Sequence, residues 1–242
     1  MEKKQISDIR CKGRLIFFNI SNNSRLYLKN DELLKFSPGI KNGDKFETII
    51  NKVSGNESFS QINYLLYSQE KIRGYSMRFY RGAKNLKKLS NRSFSLKKED
   101  CCKIQKAFDF MTENSLHYDD VHRKNFMITR SGQLIVVDLE SLSDSKVKEV
   151  ASKNNEMASV LSLSYLYNME VNEILALIRN RSSFLVNGNE LLFDYFYNLN
   201  ENSDLQELLK LVSIEDIEAN RKQLKRDSKV LSKNEYFRKY YY

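Results

Sequence analysis

The sequence predicts an α+β protein whose N-terminal part is β-rich and whose C-terminal part is helical. Before residue 82, short apolar runs alternate with turn-forming residues, which is typical of antiparallel strands. After residue 150, apolar residues recur at the three- and four-residue spacing of amphipathic helices. The chain has 242 residues and 41% apolar content, which suffices to fill one large domain or two closely packed lobes.

The N-terminal part begins with three short apolar runs separated by the turn compositions "SNNS" and "ND", and we predict antiparallel strands at 14–20, 25–30 and 32–36. A short helix follows in "DKFETIINKVSG", where Asp44 is placed as an N-cap and Gly55 as a stop. Next, "INYLLYS" and "RGYSMRFYRG" flank "QEKI" and predict a second hairpin. This part is therefore an antiparallel sheet with one helix.

The C-terminal part begins with a long predicted helix in "LKKEDCCKIQKAFDFMTENS", because apolar residues of this stretch fall on one helical face. Beyond residue 150, five further helical segments are predicted: "NNEMASVLSLSYLYNM", "VNEILALIRN", "NELLFDYFYNL", "DLQELLKLV" and "IEDIEANRKQLKRD". We therefore divide the chain into a β-rich lobe at 1–82 and a helical lobe at 83–242, joined through "FYRGAKN".

Cysteine content and hydropathy predict an intracellular protein. No window approaches the roughly 18 consecutive apolar residues that a membrane span requires, and the start of the chain lacks the apolar run of a secretory signal. The three cysteines form neither a disulfide framework nor a C-x-x-C zinc pattern. We expect a cytoplasmic location.

The net charge of +9 favours anionic partners, and much of the excess lies in the last 22 residues, 221–242. This segment interleaves basic residues with tyrosine and phenylalanine, a composition suited to contact with nucleic acid or an anionic lipid surface. A docked helix with a solvated basic face explains the same pattern. Both interpretations stay open at this stage.

Both histidines of the chain lie in one polar stretch, "HYDDVHRKN" at 117–125. Downstream, "NFMIT" and "QLIVVD" flank "RSG", which predicts a hairpin. Because a hairpin brings its two ends together, we expect Asp120 and Asn125 to lie close to Asp138. Two carboxylates and an amide are suited to Mg²⁺, which prefers oxygen ligands and usually keeps substrate phosphates in its coordination shell.

This arrangement resembles the protein kinase-like superfamily, in which a D-x-x-x-x-N loop precedes a strand and a second aspartate. The resemblance implies a two-lobe kinase-like fold, ATP and Mg²⁺ as cofactors, and transfer of the γ-phosphoryl group to a hydroxyl. Asp120 matches the catalytic aspartate, while Asn125 and Asp138 match the metal ligands. His122 gives D-x-H-x-x-N, which is similar to the aminoglycoside and choline phosphotransferase-like enzymes.

The resemblance also implies nucleotide-binding residues in the N-terminal lobe. Lys35, on the third predicted strand, matches the lysine that holds the phosphates, and Glu47 on the following helix matches its carboxylate partner. Met77 matches the residue deep in the adenine pocket. The backbone groups expected to meet the base belong to Arg78, Phe79 and Tyr80.

Three departures accompany the resemblance. Tyr118 stands where the family usually has histidine, Leu139 and Glu140 replace the phenylalanine and glycine of D-F-G, and the turn in "NISNNSR" has no glycine to cover the phosphates. These departures motivate the alternative of a pseudokinase that acts as a nucleotide- or protein-binding scaffold. A zinc site built on the two histidines is disfavoured, since zinc sites need three or four protein ligands.

The sequence thus predicts a phosphotransferase with ATP and an unidentified hydroxyl-bearing protein or small molecule as substrates. The C-terminal helices would build the acceptor pocket, and their stripes of leucine, phenylalanine and tyrosine contain no recognition motif.

Overall fold

The computed structural model describes residues 2–6, 14–19, 24–37, 40, 43–144, 147–179 and 215. The chain forms two compact units. The first unit comprises Met1–Lys84 and Met127–Asp144, and the second comprises Asn85–Phe126 and Ser145–Tyr242. The first break lies two residues beyond the boundary expected at 82, and the segment 127–144 returns to the first unit.

A six-stranded sheet dominates the first unit. Its strands are β1 (Glu2–Gln5), β2 (Arg14–Asn19), β3 (Ser24–Lys29), β4 (Glu32–Phe36), β5 (Ile62–Ser68) and β6 (Lys71–Arg78). The strand order is β1-β5-β6-β4-β3-β2, and all neighbouring strands are antiparallel except β1 and β5, which are parallel. The predicted strands and the second hairpin are therefore present with small shifts in their ends.

Strand β1 had no signal in the sequence, because "EKKQ" contains no apolar residue. Its backbone pairs with β5, from Glu2 opposite Tyr64 to Gln5 opposite Tyr67. The ammonium group of Lys4 lies 3.8 Å from the centroid of the Tyr64 ring, a cation–π contact that adds to the backbone pairing. Tertiary pairing therefore decides this strand.

The single helix of the first unit, α1 (Gly43–Val53), agrees with the predicted one. Its buried face consists of Phe46, Ile49, Ile50 and Val53. The chain leaves the helix through Gly55, whose φ of 83° lies in the left-handed region that glycine adopts without a steric penalty.

The centre of the sheet requires a glycine at position 74. In β6, Gly74 lies opposite Phe36 of β4. A Cβ atom at this position would lie 2.1 Å from the carbonyl oxygen of Lys35. The absence of a side chain therefore permits β4 and β6 to approach closely beside Lys35.

Short strands connect the remaining parts of the chain: β7 (Lys84–Asn85), β8 (Leu116–Tyr118), β9 (Phe126–Ile128), β10 (Leu134–Val136) and β11 (Leu142–Asp144). β9 and β10 form the predicted hairpin, with Thr129 N–H donating to the Gln133 carbonyl at 2.9 Å and Gly132 at a φ of 83° in the turn.

The described part of the second unit contains the helices α2 (Phe94–Glu113), α3 (Val147–Tyr167) and α4 (Val171–Arg179). The predicted apolar face of α2 is buried through Ile104, Ala107, Phe108 and Met111. Cys101 on the same helix is fully buried, and burial raises the pKa of its thiol to about 12. A thiol in that environment stays protonated and unreactive at neutral pH.

A buried carboxylate joins two of these helices. Asp100 of α2 is 0% exposed and accepts a hydrogen bond from the Tyr165 hydroxyl of α3 at 3.0 Å. Its oxygens also lie 3.3 Å from Arg92 and 3.2 Å from Lys103. Buried carboxylates require such partners because desolvation of an unpaired charge is costly.

Several predictions lie outside the described residues. These are the helices predicted in "NELLFDYFYNL" and "DLQELLKLV", nearly all of the one in "IEDIEANRKQLKRD", the basic segment 221–242, and the centre of the glycine-free turn at Asn22 and Asn23. Within the described residues, no helix combines the length and apolar character needed to cross a membrane.

Candidate active site

Lys35 lies in the centre of the sheet, on β4, between Leu26 of β3 and Tyr75 of β6. Its ammonium group contacts two carboxylates of the first unit, those of Asp138 and Glu140. The distance to Glu140 Oε1 is 2.9 Å. The Lys35 side chain is only 15% exposed, so this charge cluster is largely withdrawn from water.

The charge state of the cluster follows from two opposing effects. Burial by itself lowers the pKa of Lys35, but the nearby negative groups, including the carboxylates of Glu140 and Asp138, outweigh it and the pKa is raised. Burial raises the pKa of Glu140, and Lys35 offsets only part of that increase. Lys35 is therefore a fixed positive charge at neutral pH.

The backbone that leads to Asp138 is fixed by hydrogen bonds to two neighbouring residues, Ser58 and Ser60. Val136, two residues earlier, donates its N–H to the Ser58 carbonyl at 2.7 Å and accepts from Ser60 N–H at 2.9 Å. Asp138 itself has a φ of 63° and a ψ of 51°. This left-handed conformation costs a non-glycine residue about 1–2 kcal/mol, and aspartate is among the residues that adopt it most readily.

The predicted pair of Lys35 and Glu47 is wrong for this structure. The Glu47 carboxylate instead lies 2.9 Å from the ammonium group of Lys3 and accepts a hydrogen bond from the Tyr67 hydroxyl at 3.4 Å. Strand β1 brings Lys3 there, and the sequence gave no sign of that strand. The two carboxylates that contact Lys35, those of Asp138 and Glu140, belong to the segment after β10.

The segment predicted to line an adenine pocket follows directly on β6. Met77 is 6% exposed, and its sulfur accepts a hydrogen bond from the Ser60 hydroxyl at 3.3 Å. Arg78 N–H donates to the Gln61 carbonyl at 3.0 Å, and Phe79 N–H donates to the Asp31 carbonyl at 2.9 Å. These two amides are therefore used by the protein itself.

Tyr80 differs from its two neighbours. Its carbonyl accepts a hydrogen bond from Ala83 N–H at 3.0 Å, whereas its own N–H has no hydrogen-bond partner within the residues that the structure describes. The Tyr80 hydroxyl accepts from Gln61 N–H at 3.3 Å, which fixes the side chain. Among the described residues, the Tyr80 amide is thus the one of these three backbone N–H groups without a protein partner.

The second unit contains the loop between β8 and β9, which carries Asp120 and Asn125. Asn125 Nδ2 donates to the Asp120 carbonyl and to Asp120 Oδ2, both at 3.1 Å. Asn125 N–H also donates to the His122 carbonyl at 3.0 Å. Since the amide nitrogen is used in these bonds, the Asn125 side-chain oxygen is the atom suited to a metal ion.

His122 orients the Asp120 carboxylate. Its Nδ1 accepts a hydrogen bond from Lys124 N–H at 3.2 Å, so that nitrogen carries no proton. The proton then resides on Nε2, which lies 3.2 Å from Asp120 Oδ2. Asp120 Oδ2 therefore accepts a hydrogen bond from Asn125 Nδ2 and lies 3.2 Å from His122 Nε2, and the two contacts restrain the carboxylate.

Arg123 anchors the loop to the turn between α3 and α4, a role that the sequence did not reveal. The residue is 3% exposed, and its guanidinium donates to Asn168 Oδ1 at 2.7 Å and to Glu170 Oε1 at 3.1 Å. Glu170 also pairs with Lys87 at 2.6 Å. In the sequence these partners are more than forty residues away, and nothing marks them as a pair with Arg123.

This anchor predicts an acid-sensitive contribution to stability. Partial burial raises the pKa of Glu170, whereas the positive charges of Lys87 and Arg123 lower it. The second effect is larger, so the pKa lies below its usual value of 4.5. The stabilisation is then complete above pH 4.5 and is lost as the pH falls through the folded-state pKa. We expect the melting temperature of wild type to exceed that of Glu170→Gln at pH 7, and the difference to shrink towards pH 3. A constant difference between pH 7 and pH 3 would contradict this prediction.

Tyr118 and His117 support the loop from within the second unit. Tyr118, at the position where the family usually has histidine, is fully buried against Phe126, with ring centroids 5.6 Å apart. His117 lies 3.2 Å from Asp119 Oδ1 and 3.4 Å from Asn154 Oδ1. Asn154 also donates to the Leu116 carbonyl at 2.9 Å. It is a buried brace on α3 that sequence reasoning missed.

The predicted residues are thus distributed over both units. Lys35, Met77 and Asp138 belong to the first unit with the segment 78–80, and Asp120 and Asn125 belong to the second. The contacts of Lys35 with Asp138 and of Asp120 with Asn125 are present. The convergence of Asp120 and Asn125 on Asp138 stays a prediction.

The two side chains predicted to bind a metal ion, those of Asp138 and Asn125, each offer oxygen. Within the described ranges, no group of three or more histidine, cysteine, aspartate or glutamate side chains is arranged to hold a metal ion. The two histidines face different aspartates, His117 towards Asp119 and His122 towards Asp120. Carboxylate and amide oxygens, such as those of Asp138 and Asn125, are of the kind that Mg²⁺ prefers, and this ion takes few protein ligands and completes its shell with water and phosphate.

The structure is similar to that of the PK-1 kinase of Cydia pomonella granulovirus. The match has a TM-score of 0.54 and 12% sequence identity, and it covers 84% of this chain and 92% of the viral one. No protein-family model matches the sequence, and no curated protein matches it significantly. The predicted α+β, protein kinase-like fold is confirmed.

Proposed function

We propose that this protein is an ATP-dependent phosphotransferase that transfers the γ-phosphoryl group of Mg·ATP to a hydroxyl. The observation that carries the proposal is the contact of Lys35 with Asp138, which lie 103 residues apart in the chain. From the sequence, Lys35 is predicted to bind the phosphates and Asp138 to bind the metal ion. Their proximity on a kinase-like fold supports phosphoryl transfer, because such catalysis is mostly positioning and charge neutralisation.

The side chains take separate roles in this proposal. Lys35 binds the α- and β-phosphates, and Asp138 and Asn125 hold the Mg²⁺, which neutralises the charge of the phosphates when bound. Asp120 orients the acceptor hydroxyl and accepts its proton. The acceptor oxygen then forms a bond to the γ-phosphorus as the bond to the β-phosphate oxygen breaks, and ADP leaves. The contact with His122 and the hydrogen bond from Asn125 support the orientation of Asp120.

Adenine binding in this proposal uses the segment that follows β6. The N–H of Tyr80 has no partner within the described residues, so it is available to donate to a ring nitrogen. Met77 contributes an apolar surface, and its thioether is held by Ser60. Apolar walls with a few fixed polar groups are typical of sites for small ligands.

Replacing Lys35 with methionine tests nucleotide binding. We expect the affinity for Mg·ATP, measured by isothermal titration calorimetry, to fall about 10- to 100-fold, which corresponds to the loss of charged hydrogen bonds. Lys84→Met removes an exposed lysine of the same unit and is the matched control, with unchanged affinity expected. Equal affinities in wild type and Lys35→Met would contradict the proposed site.

A scaffold that binds nucleotide or protein without catalysis is the second candidate. The observation that favours it is the double pairing of Lys35, whose ammonium group already contacts two carboxylates. A screen with labelled ATP against peptides, sugars, amino alcohols and the protein itself separates the two functions. Transfer to any of these acceptors supports the enzyme, and nucleotide binding without transfer or hydrolysis supports the scaffold.

A further inference from the structure

We propose that Glu140 is the residue that positions Lys35 for the nucleotide, in place of a glutamate from helix α1. This inference rests on the proposed function, because it assigns a partner to the lysine of that same site. Glu140 touches neither phosphate nor acceptor in this proposal and acts through Lys35. It stands two residues after Asp138, where the sequence departs from D-F-G.

The contacts of Glu140 show a carboxylate bound to two side chains at the C-terminal end of the internal strand β4. Its Oε1 lies 2.9 Å from the ammonium group of Lys35 and accepts a hydrogen bond from the Ser37 hydroxyl at 3.0 Å. Lys35 and Ser37 are two residues apart, and side chains at that spacing point to the same face of an extended chain. One oxygen therefore bridges two neighbouring side chains, which restricts the rotamers of both.

The environment of Glu140 leaves its carboxylate few polar partners. Its side chain is 17% exposed, and its second oxygen, Oε2, is buried without a hydrogen-bond partner in the part of the chain that the structure describes. A buried carboxylate depends on its few partners, because water does not replace them. Lys35 is the one cation in contact with this carboxylate among the described residues, so the two side chains hold each other in place.

The backbone presents Glu140 to Lys35 through a tight turn. Residues Leu139–Ser141 form a short 3₁₀ helix directly after the left-handed Asp138, and Ser141 N–H donates to the Asp138 carbonyl at 3.0 Å. Leu139 is fully buried and fixes the turn from the inside. Both carboxylates that contact Lys35 thus come from one three-residue segment.

Helix α1 offers no such partner. Its glutamate, Glu47, is bound by Lys3 at 2.9 Å and by the Tyr67 hydroxyl. Lys3 belongs to β1, which is paired along its length with β5. Glu47 therefore ties an edge strand to the helix. A consequence is that the position of Lys35 does not depend on the position of α1.

A double-mutant cycle tests the inference. The Mg·ATP affinity is measured by calorimetry for wild type, Lys35→Met, Glu140→Gln and the double variant. We expect Glu140→Gln to weaken binding about tenfold and to have no further effect once Lys35 is replaced, since residues in one network are strongly non-additive. The parallel cycle with Glu47→Gln should be additive, with little effect of Glu47→Gln in either background.

Kinetics of ATP turnover distinguish positioning from other roles. We expect Glu140→Gln to raise KM for ATP and lower kcat, while the Mg²⁺ concentration for half-maximal rate is unchanged. Glu140→Asp keeps the charge but shortens the reach, so it should behave like Glu140→Gln if position matters. Melting temperatures of all variants check that the fold is retained.

Several outcomes would overturn the inference. A shifted Mg²⁺ requirement in Glu140→Gln would make Glu140 a metal ligand. If Glu140→Gln bound ATP more tightly than its parent in both the wild-type and the Lys35→Met backgrounds, the effect of Glu140 would be repulsion of the phosphates. If the affinity measurements showed coupling of Lys35 to Glu47 instead of Glu140, the positioning role would belong to Glu47 of helix α1. Failure of wild type to bind Mg·ATP would contradict the proposed function itself, which is a different result from additivity in a protein that binds.

Discussion

Asp120→Asn is expected to lower the rate of phosphoryl transfer or ATP hydrolysis by about 10²- to 10⁴-fold, the usual contribution of a positioned general base. Asparagine has nearly the same size and still accepts one hydrogen bond, but it does not take up the hydroxyl proton. The affinity for Mg·ATP should change little, because Asp120 acts on the acceptor in the proposed mechanism. Steady-state kinetics and calorimetry on the same samples measure both effects.

Asp119→Asn is the matched control for this prediction. Asp119 is the adjacent carboxylate, and its side chain is 60% exposed beside His117. We expect Asp119→Asn to retain turnover within a few-fold of wild type. Equal activity of Asp120→Asn and wild type would remove Asp120 from the mechanism, and equal losses in both variants would indicate a general effect on the loop.

Among the proposed variants, Asp100→Ala is expected to lower the free energy of unfolding most, by about 3 kcal/mol. The carboxylate is completely buried, and its removal leaves Arg92, Lys103 and the Tyr165 hydroxyl without their shared partner. Arg92 and Lys103 are partly exposed and regain water, which keeps the loss below that of a fully enclosed charge. Urea unfolding followed by circular dichroism measures the difference.

Two further variants define the origin of this loss. Tyr165→Phe removes one hydrogen bond and should cost about 1 kcal/mol. Glu99→Ala removes an exposed acid one residue away on the same helix and should change stability by no more than about 0.5 kcal/mol. If Asp100→Ala were as stable as Glu99→Ala, the buried network would contribute nothing to the fold.

The predicted elements of the described chain agree with the structure where local pattern and packing coincide. Helix α1 has its four buried residues at the spacing that predicted it, and the strands at 14–19, 24–29 and 32–36 end within one residue of their predicted limits. Strand β1 was missed because a polar four-residue stretch has no periodicity. Its formation depends on an exposed edge of β5, sixty residues away in the chain.

In the candidate site, too, local patterns were predicted from the sequence and long-range contacts were not. The spacing of Asp120 and Asn125 identified a local pair, and the structure contains their hydrogen bond. The partner of Lys35 was assigned wrongly because the order of strand and helix indicates Glu47, while β1 supplies Lys3 to that carboxylate. Arg123 gave no signal, since its partners Asn168 and Glu170 lie beyond a helix.

The sequence by itself determined the class of this protein, the local motifs and the residues with chemical potential, because periodicity and short spacings are properties of neighbouring residues. Only the tertiary structure decided which carboxylates meet Lys35 and which side chains brace the Asp120 loop. Ion pairs between residues a hundred positions apart depend on strand order and on the turn after Asp138, and these follow from packing of the whole sheet.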